Sequence, residues 1–166
     1  MMANKVKTPD KVLQCVGEHG RRRARLVLTN GCFDVLHVGH IRYLKAARGL
    51  GDSLVVGLNT DESVRALKGP RRPIFSQDER AEILAALACV DFVVLFDDNT
   101  AERLVSLLRP DVYVKGADYA PGSGNDLPEA AIVHAYGGRV ELLPLVEARS
   151  TTAIIENILG ERRTAA

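Results

Sequence analysis

The chain has 166 residues, of which 46% are hydrophobic and 26% charged, and its formal net charge is +1. This composition is typical of a globular protein and excludes disordered and collagen-like chains, and the length predicts a single domain. A net charge this close to zero gives no general attraction for nucleic acid.

The cysteines and the apolar runs predict where the protein works. Three scattered cysteines indicate a reducing compartment rather than a disulfide framework. No run of about 20 apolar residues and no signal peptide is visible, so we expect a cytoplasmic protein with no membrane partner. The basic run at 21–25 is interpreted as a solvated surface, because ligands of open α/β sheets bind at the opposite edge.

Apolar, partly β-branched runs alternate with helical patterns along the chain. The first helix is expected at about 8–19, within an N-terminal helical extension over 1–22 that precedes a single domain over 23–166. The expected strands are 24–30, 53–59, 91–96, 111–116 and 139–145. Because nearly continuous apolar runs are typical of strands covered on both faces, these runs predict a parallel sheet. Single helices between them predict a Rossmann-like α/β fold with five parallel strands in the order 3-2-1-4-5 and helices on both faces.

Polar residues mark the expected helix starts. Ser76 and Glu79 form a capping box, Thr100 is expected to cap the helix before Pro110, and Ser150 the last helix. The residues expected on the buried faces of these three helices are Ile83, Leu84 and Leu87, then Leu104, Val105 and Leu108, and finally Ile154, Ile155 and Ile158.

The most informative stretch, TNGCFDVLHVGH, connects the first strand to its helix. The strand ends near Asn30, Gly31 permits the turn, and the helix begins around Val38. The free N–H groups and the positive dipole end of a helix start bind anions.

Two histidines flank this helix start. His37 and His40 lie on neighbouring sides, so their ring N–H groups can converge on one anion, and Gly39 removes a side chain where a phosphate would approach the backbone. Such donors suit a phosphoryl group that gains charge in its transition state.

Other uses of these residues stay open at this point. Asp34, His37 and His40 could bind zinc, Cys32 could be a nucleophile with a nearby histidine as its base, and the histidines could be structural. The Walker-type and dinucleotide glycine signatures are both missing from the sequence, and GSG at 122–124 is a weak candidate for a phosphate loop.

The pattern F-D-x-x-H-x-G-H at 33–40 resembles the signature of the HIGH-type (HxGH) nucleotidyltransferase superfamily. Further matches follow in chain order: KGPRRP at 68–73, the helix with Arg80, VKGADY at 114–119 and STTAI at 150–154. The resemblance covers about residues 25–159. Within the superfamily, these segments are most similar to the adenylyltransferase domains that make ADP-heptose from D-glycero-β-D-manno-heptose 1-phosphate. Some bacteria fuse that domain to a sugar kinase, for which this chain has no room, so we expect the free-standing form.

The resemblance implies transfer of AMP from ATP to the sugar 1-phosphate, with release of pyrophosphate, as a step towards the lipopolysaccharide core. It implies that Mg²⁺ arrives with ATP rather than at a protein metal site, with Asp34 able to reach the metal's water. The implied catalytic residues are His37, His40 and Lys68. The implied nucleotide-binding residues are Asn30, Gly31, Phe33, Asp34, Gly39, Arg80, Lys115, Gly116, Ser150, Thr151 and Thr152. The implied substrate-binding residues are Asp61, Arg72, Asp118 and Tyr119.

Competing functions remain at this stage. A related transferase could use CTP or GTP with another phosphorylated alcohol or sugar, and a non-catalytic nucleotide-binding module or a hydrolase built on Asp34, His37 and Cys32 are alternatives from other classes. Leu145 stands where cytidylyltransferase relatives tend to carry an arginine, and Arg149 lies beside the serine. This departure disfavours a glycerol-phosphate cytidylyltransferase. A homodimer is possible.

Overall fold

A computed structural model describes residues 5–17, 24–120, 122, 124, 126–144 and 150–160. Parts of the predicted N-terminal extension, most of the basic run at 21–25, Ser123, Leu145 and Arg149 lie outside the described residues.

The described residues form a parallel sheet flanked by helices. The strands are β1 (Leu26–Gly31), β2 (Ser53–Asn59), β3 (Phe92–Phe96), β4 (Val112–Gly116) and β5 (Arg139–Leu143). The helices are α1 (Pro9–Gly17), α2 (Val38–Arg48), α3 (Asp61–Lys68), α4 (Gln77–Ala86), α5 (Glu102–Leu108), α6 (Glu129–Ala135) and α7 (Thr151–Ile158), with a 3₁₀ helix at Ala117–Tyr119. The sheet order β3-β2-β1-β4-β5 confirms the predicted order 3-2-1-4-5.

Two apolar cores cover the two faces of the sheet. One is built with α2 and α4 and includes Leu44 and Leu84. The other is built with α1, α5 and α6 and includes Val12, Val105 and Val133. All five side chains are fully buried, and burial of each contributes about 1.5–3 kcal/mol. Between the cores, β1 lies between β2 and β4, so the crevice of the fold opens at the carboxyl ends of β1 and β4.

The start of the chain packs along the β3 edge of the sheet. Val6 forms a parallel bridge with Val93, and the Lys5 Nζ donates to the carbonyls of Leu87 and Val90 at 2.9 and 2.7 Å. Within the described part of the chain, no helix has the length and apolar character needed to span a bilayer.

Local capping was predicted correctly at two of three helices. The capping box of Ser76 and Glu79 forms at α4, and the Ser150 hydroxyl accepts from the Ala153 N–H at α7. The expectation that Thr100 caps α5 is wrong. Its hydroxyl donates to the Glu102 carboxylate, and Ala101 is the N-cap residue.

Two expected core residues are exposed. Ile83 is 38% exposed because the buried stripe of α4 runs through Arg80, Ala81 and Leu84, and Ile83 lies beside it. Ile158 is 76% exposed because it lies in the last turn of α7, a helix in which no residue is fully buried.

Candidate active site

A cavity of about 1020 Å³ lies at the carboxyl ends of β1 and β4, where the fold predicts a ligand site. Almost every residue expected in the site lines it. These residues are Asn30, Gly31, Phe33, Asp34, His37, Gly39, His40, Lys68, Arg72, Lys115, Gly116, Asp118, Tyr119, Ser150, Thr151 and Thr152. The two that do not are Arg80 and Asp61.

The two histidines are fixed by the backbone at the start of α2. His37 is the N-cap residue, and its Nδ1 accepts the Gly39 N–H at 3.1 Å. The Nδ1 of His40 accepts the His37 N–H at 3.4 Å, and the rings stack with their centroids 3.9 Å apart. Because a nitrogen that accepts carries no proton, both neutral rings carry their proton on Nε2. Two stacked imidazoles with Nε2–H donors therefore line the cavity at a helix N-terminus.

The His40 ring is uncharged near neutral pH. Burial and, secondarily, the neighbouring His37 lower the pKa of His40 to about 4. Its ring also meets Phe33 edge-on, with centroids 5.4 Å apart. A neutral donor that is already oriented can stabilise developing negative charge without first rearranging.

The turn between β1 and α2 is held in a costly conformation by Asp34. Phe33 and Val35 have φ angles of 44° and 49°, and the left-handed region costs a residue with a Cβ atom about 1–2 kcal/mol. Between them, the buried Asp34 carboxylate accepts the N–H groups of Ile74 at 3.0 Å and Phe75 at 3.2 Å. These contacts tie the turn to the chain that precedes α4.

Two further contacts of Asp34 reach other parts of the cavity wall. The Arg72 Nε donates to its carboxylate at 2.6 Å, and the Thr151 hydroxyl donates to its backbone carbonyl at 2.8 Å. Asp34 therefore orients the loop cation Arg72 and anchors the start of α7. That Asp34 also reaches a metal's water stays a prediction.

Arg80 does not line the cavity, whereas the sequence argument placed it against the phosphates. It is 1% exposed, and its guanidinium donates to the carbonyls of Phe75, Cys32 and Asn59 at 3.0, 2.7 and 2.9 Å. Its Nη2 donates to Asp61 at 2.7 Å. A guanidinium bonded in this way ties three segments together beneath the cavity.

Asp61 also lies outside the cavity, although the sequence argument placed it among the substrate-binding residues. It lies in the first turn of α3, and its carboxylate pairs with Arg80. The cap of α3 is Thr60, whose hydroxyl accepts the Ser63 N–H at 3.3 Å.

The strand ends on the other side of the cavity carry a lysine that is 8% exposed. The Lys115 Nζ lies 3.4 Å from Asn30 Oδ1 and 4.2 Å from the centre of the Tyr119 ring. The Tyr113 hydroxyl donates to the same Asn30 oxygen at 2.6 Å. Burial lowers the pKa of Lys115, whereas the carboxylates of Glu129 and Asp118 act in the opposite direction.

Several cavity residues were missed by sequence reasoning. They are Tyr43, Asn59, Asn99, Asp126 and Glu129, together with Thr100, which was considered only as a helix cap. Tyr43 is fixed by donating to the Val114 carbonyl at 3.0 Å and by contact with the Thr29 hydroxyl. The Glu129 carboxylate accepts the Ala101 N–H at 2.7 Å. The position of Glu129 directly after Pro128, at a helix start near the carboxyl edge, is the one local signal that could have found it.

Comparison with known proteins shows the family to which the chain belongs. The family model described as cytidylyltransferase-like matches residues 28–157. The chain belongs to the cytidylyltransferase-like family.

Its relatives include two proteins called bifunctional protein HldE. That of Syntrophotalea carbinolica is 59% identical over 150 residues, which cover 89% of this chain and 30% of the relative. That of Citrifermentans bemidjiense is 53% identical over 157 residues, which cover 95% of this chain and 32% of the relative. The chain thus spans about a third of the length of these relatives.

A solved structure shares the architecture as well. The crystal structure of the lipopolysaccharide core biosynthesis protein from Thermoplasma volcanium superposes with a TM-score of 0.61 at 29% identity. The match covers 76% of this chain and 99% of that protein.

The rival uses of the motif fit this cytidylyltransferase-like site poorly. Burial raises the pKa of the Cys32 thiol, and a raised pKa lowers the thiolate fraction that a nucleophile needs. Across the described residues, no group of three or more histidine, cysteine, aspartate and glutamate side chains could hold a metal ion. Asp34, His37 and His40 instead use their polar atoms to hold the turn and the helix start.

Proposed function

We propose that this chain transfers AMP from ATP to D-glycero-β-D-manno-heptose 1-phosphate, giving ADP-heptose and pyrophosphate for lipopolysaccharide core synthesis. The sequence motifs resemble the adenylyltransferases of this reaction. The high identity to the HldE proteins and the structural likeness to a lipopolysaccharide core biosynthesis protein support the same proposal. The observation that carries it is the pair of oriented Nε2–H donors at the start of α2, which open into a cavity of about 1020 Å³.

The reaction needs alignment and charge stabilisation rather than a protein nucleophile. An oxygen of the sugar phosphate, already ionised at neutral pH, attacks the α-phosphorus of ATP. The new P–O bond forms as the bond from the α-phosphorus to the bridging oxygen breaks, and pyrophosphate leaves with that electron pair. Phosphoryl-type transfers of this kind depend chiefly on positioning and on neutralising the spread charge.

The described residues supply donors and cations for those tasks. His37 and His40 donate to oxygens of the α- and β-phosphates. Lys68, exposed at the end of α3, approaches the triphosphate from the cavity mouth. Arg72 is held to Asp34 through Nε, so its terminal nitrogens are directed by that contact. The start of α7, with Ser150, Thr151 and Thr152, offers backbone N–H groups to the same phosphates.

Mg²⁺ belongs to this proposal as the ion that accompanies ATP. It would be held mainly by the triphosphate oxygens and would reduce the negative charge on the leaving group. The residues of the cavity fit this arrangement, because its lining includes Lys68, Arg72 and the two imidazoles, and the Asp34 carboxylate is engaged with the protein.

A pyrophosphate-release assay tests the function. The protein is incubated with Mg²⁺, with each of ATP, CTP and GTP in turn, and with a panel of sugar phosphates and alcohol phosphates. We expect ATP with D-glycero-β-D-manno-heptose 1-phosphate to give the highest kcat/KM, and mass spectrometry to identify ADP-heptose as the product.

Other outcomes lead to defined alternatives. Faster release with CTP or GTP and another acceptor would identify a related nucleotidyltransferase. ATP binding without release from any pair would identify a nucleotide-binding module. Release that requires zinc and persists in Lys68→Ala would indicate the hydrolase.

A further inference from the structure

The cavity has two halves of different chemistry, one above each face of the sheet. His37 and His40 lie above the face covered by α2 and α4. On the opposite face, Tyr113 packs into the core beneath α5 and α6 and donates to Asn30. Residues two apart along a strand share a face, so Lys115 lies on that side as well. This region, the α6 half, is completed by Glu129 at the start of α6.

We propose that the α6 half is the subsite of the acceptor sugar and that Glu129 determines acceptor specificity by accepting hydrogen bonds from sugar hydroxyls. The inference rests on the proposed function and adds the part of the cavity that recognises the polyhydroxy acceptor.

Glu129 is a buried carboxylate with a fixed position. It is 4% exposed, and its Oε1 accepts the N–H of Ala101, the N-cap residue of α5, at 2.7 Å. A carboxylate has about four acceptor positions on its two oxygens. The Ala101 N–H accounts for part of that capacity. The same carboxylate lines the cavity, where it can receive further donors.

The charge of Glu129 decides which substrate fits beside it. A triphosphate is strongly anionic, and like charges repel more strongly in a partly buried site than in water. Sugar hydroxyls are neutral donors, and a hydrogen bond to a carboxylate is about twice as strong as one between neutral groups. The rim of this half adds Asn99, Thr100 and Asp126, which together offer amide, hydroxyl and carboxylate partners for a polyol.

Lys115 gives this half a buried cation at the strand ends. Its Nζ lies beside Asn30, at the boundary with the histidine half. An acceptor whose hydroxyls meet Glu129 would place its phosphate against Lys115, and so direct the attacking oxygen towards the α-phosphorus held by the imidazoles. This orientation assigns Lys115 to the acceptor phosphate rather than to the nucleotide.

The test is the Glu129→Gln substitution, with steady-state kinetics for ATP and D-glycero-β-D-manno-heptose 1-phosphate. Glutamine keeps a carbonyl oxygen for the Ala101 N–H but removes the negative charge. We expect the KM for the sugar phosphate to rise roughly tenfold to a hundredfold, as for loss of a hydrogen bond to a charged group, with the kcat and the KM for ATP unchanged. The matched control is Glu82→Gln on the exposed face of α4, which should leave both KM values unchanged.

A second variant covers the case in which Glu129→Gln does not fold. Asp126 is exposed on the rim of the same half, so Asp126→Asn should fold and should raise the KM for the sugar phosphate about twofold to fivefold without affecting ATP. Calorimetric titration of the sugar phosphate onto each variant measures the same loss without turnover.

The outcomes separate the inference from the function on which it rests. An unchanged KM for the sugar phosphate in folded Glu129→Gln, or an equal rise for both substrates, would overturn the inference while the wild-type turnover stands. If only Asp126→Asn can be tested, an unchanged KM for the sugar phosphate there overturns it. If the wild-type protein releases no pyrophosphate with ATP and the heptose phosphate, the proposed function itself fails.

Discussion

The turn after β1 and the chain between α3 and α4 line the same cavity but use their polar residues differently. In the turn, His37 and His40 each accept a backbone N–H at Nδ1, which places the ring proton on Nε2. Around the second segment, Arg80 and Asp61 are bonded to each other and to the protein, and neither lines the cavity. A charged residue near a motif therefore contacts a ligand only if the fold has not already used its polar atoms.

The largest expected effect concerns Arg80, whose polar atoms are bonded to the protein. Arg80→Met removes one partner of a buried ion pair and leaves Asp61 and three carbonyls without their donor. We expect the free energy of unfolding to fall by about 3–5 kcal/mol, measured by urea denaturation. Arg103→Met, on the exposed face of α5, is the control. A variant with normal stability but a large loss of kcat would contradict this structural role and would indicate that Arg80 contacts the phosphates.

The next largest effect concerns the imidazoles. His37→Ser keeps a hydroxyl able to cap α2 and removes the ring, and His40→Ala removes the second donor. Each should lower kcat about a hundredfold, or roughly 3 kcal/mol, with only a small change in melting temperature. His134→Ala on the exposed face of α6 should keep full activity. Near-normal turnover in both site variants would remove the pair from the mechanism.

The pH dependence of stability tests whether His40 is a buried, neutral ring in the folded protein. Its pKa is about 4 in the folded protein and about 6.5 when unfolded, so the unfolded chain binds more protons between these values. The contribution of the neutral His40 ring to the free energy of unfolding is therefore fully present above pH 6.5. It falls by about 2 kcal/mol as the pH drops towards 4, allowing for the partial exposure of the ring. Denaturation of His40→Asn at several pH values should show a correspondingly shallower loss. Parallel curves for the two proteins would argue against a buried neutral ring.

The smallest expected effect is that of Lys68, which lies at the exposed mouth. Lys68→Ala should lower kcat/KM for ATP about tenfold, near 1.4 kcal/mol, because solvent screens an exposed cation. The effect should weaken at high salt, and Lys45→Ala on the exposed face of α2 provides the control. A loss independent of salt would place Lys68 deeper in the site than the structure does.

Local patterns predicted most of the fold and the centre of the site. The five strands follow from continuous apolar runs, and the parallel sheet follows from the alternation of these runs with helices. The helix start at Val38 follows from a turn glycine and a polar residue before an apolar pattern, which places His37 at the N-cap. These features depend on neighbours within a few residues.

The errors within the site concern contacts between residues distant in sequence. Arg80 meets Cys32, which lies 48 residues away, and no local pattern specifies that pairing. The same is true of Glu129, which holds Ala101 across 28 residues. Ile158 matched a buried stripe, but whether a helix end is covered depends on its neighbours in space.

The central claim is that the paired imidazoles hold the polyphosphate through Nε2–H. A crystal structure of the protein with Mg²⁺ and a non-hydrolysable ATP analogue tests it directly. We expect both Nε2 atoms within about 3.2 Å of α- or β-phosphate oxygens, with both Nδ1 atoms still accepting backbone N–H groups. A triphosphate bound away from both rings, or a ring turned so that Nδ1 faces the ligand, would contradict the account.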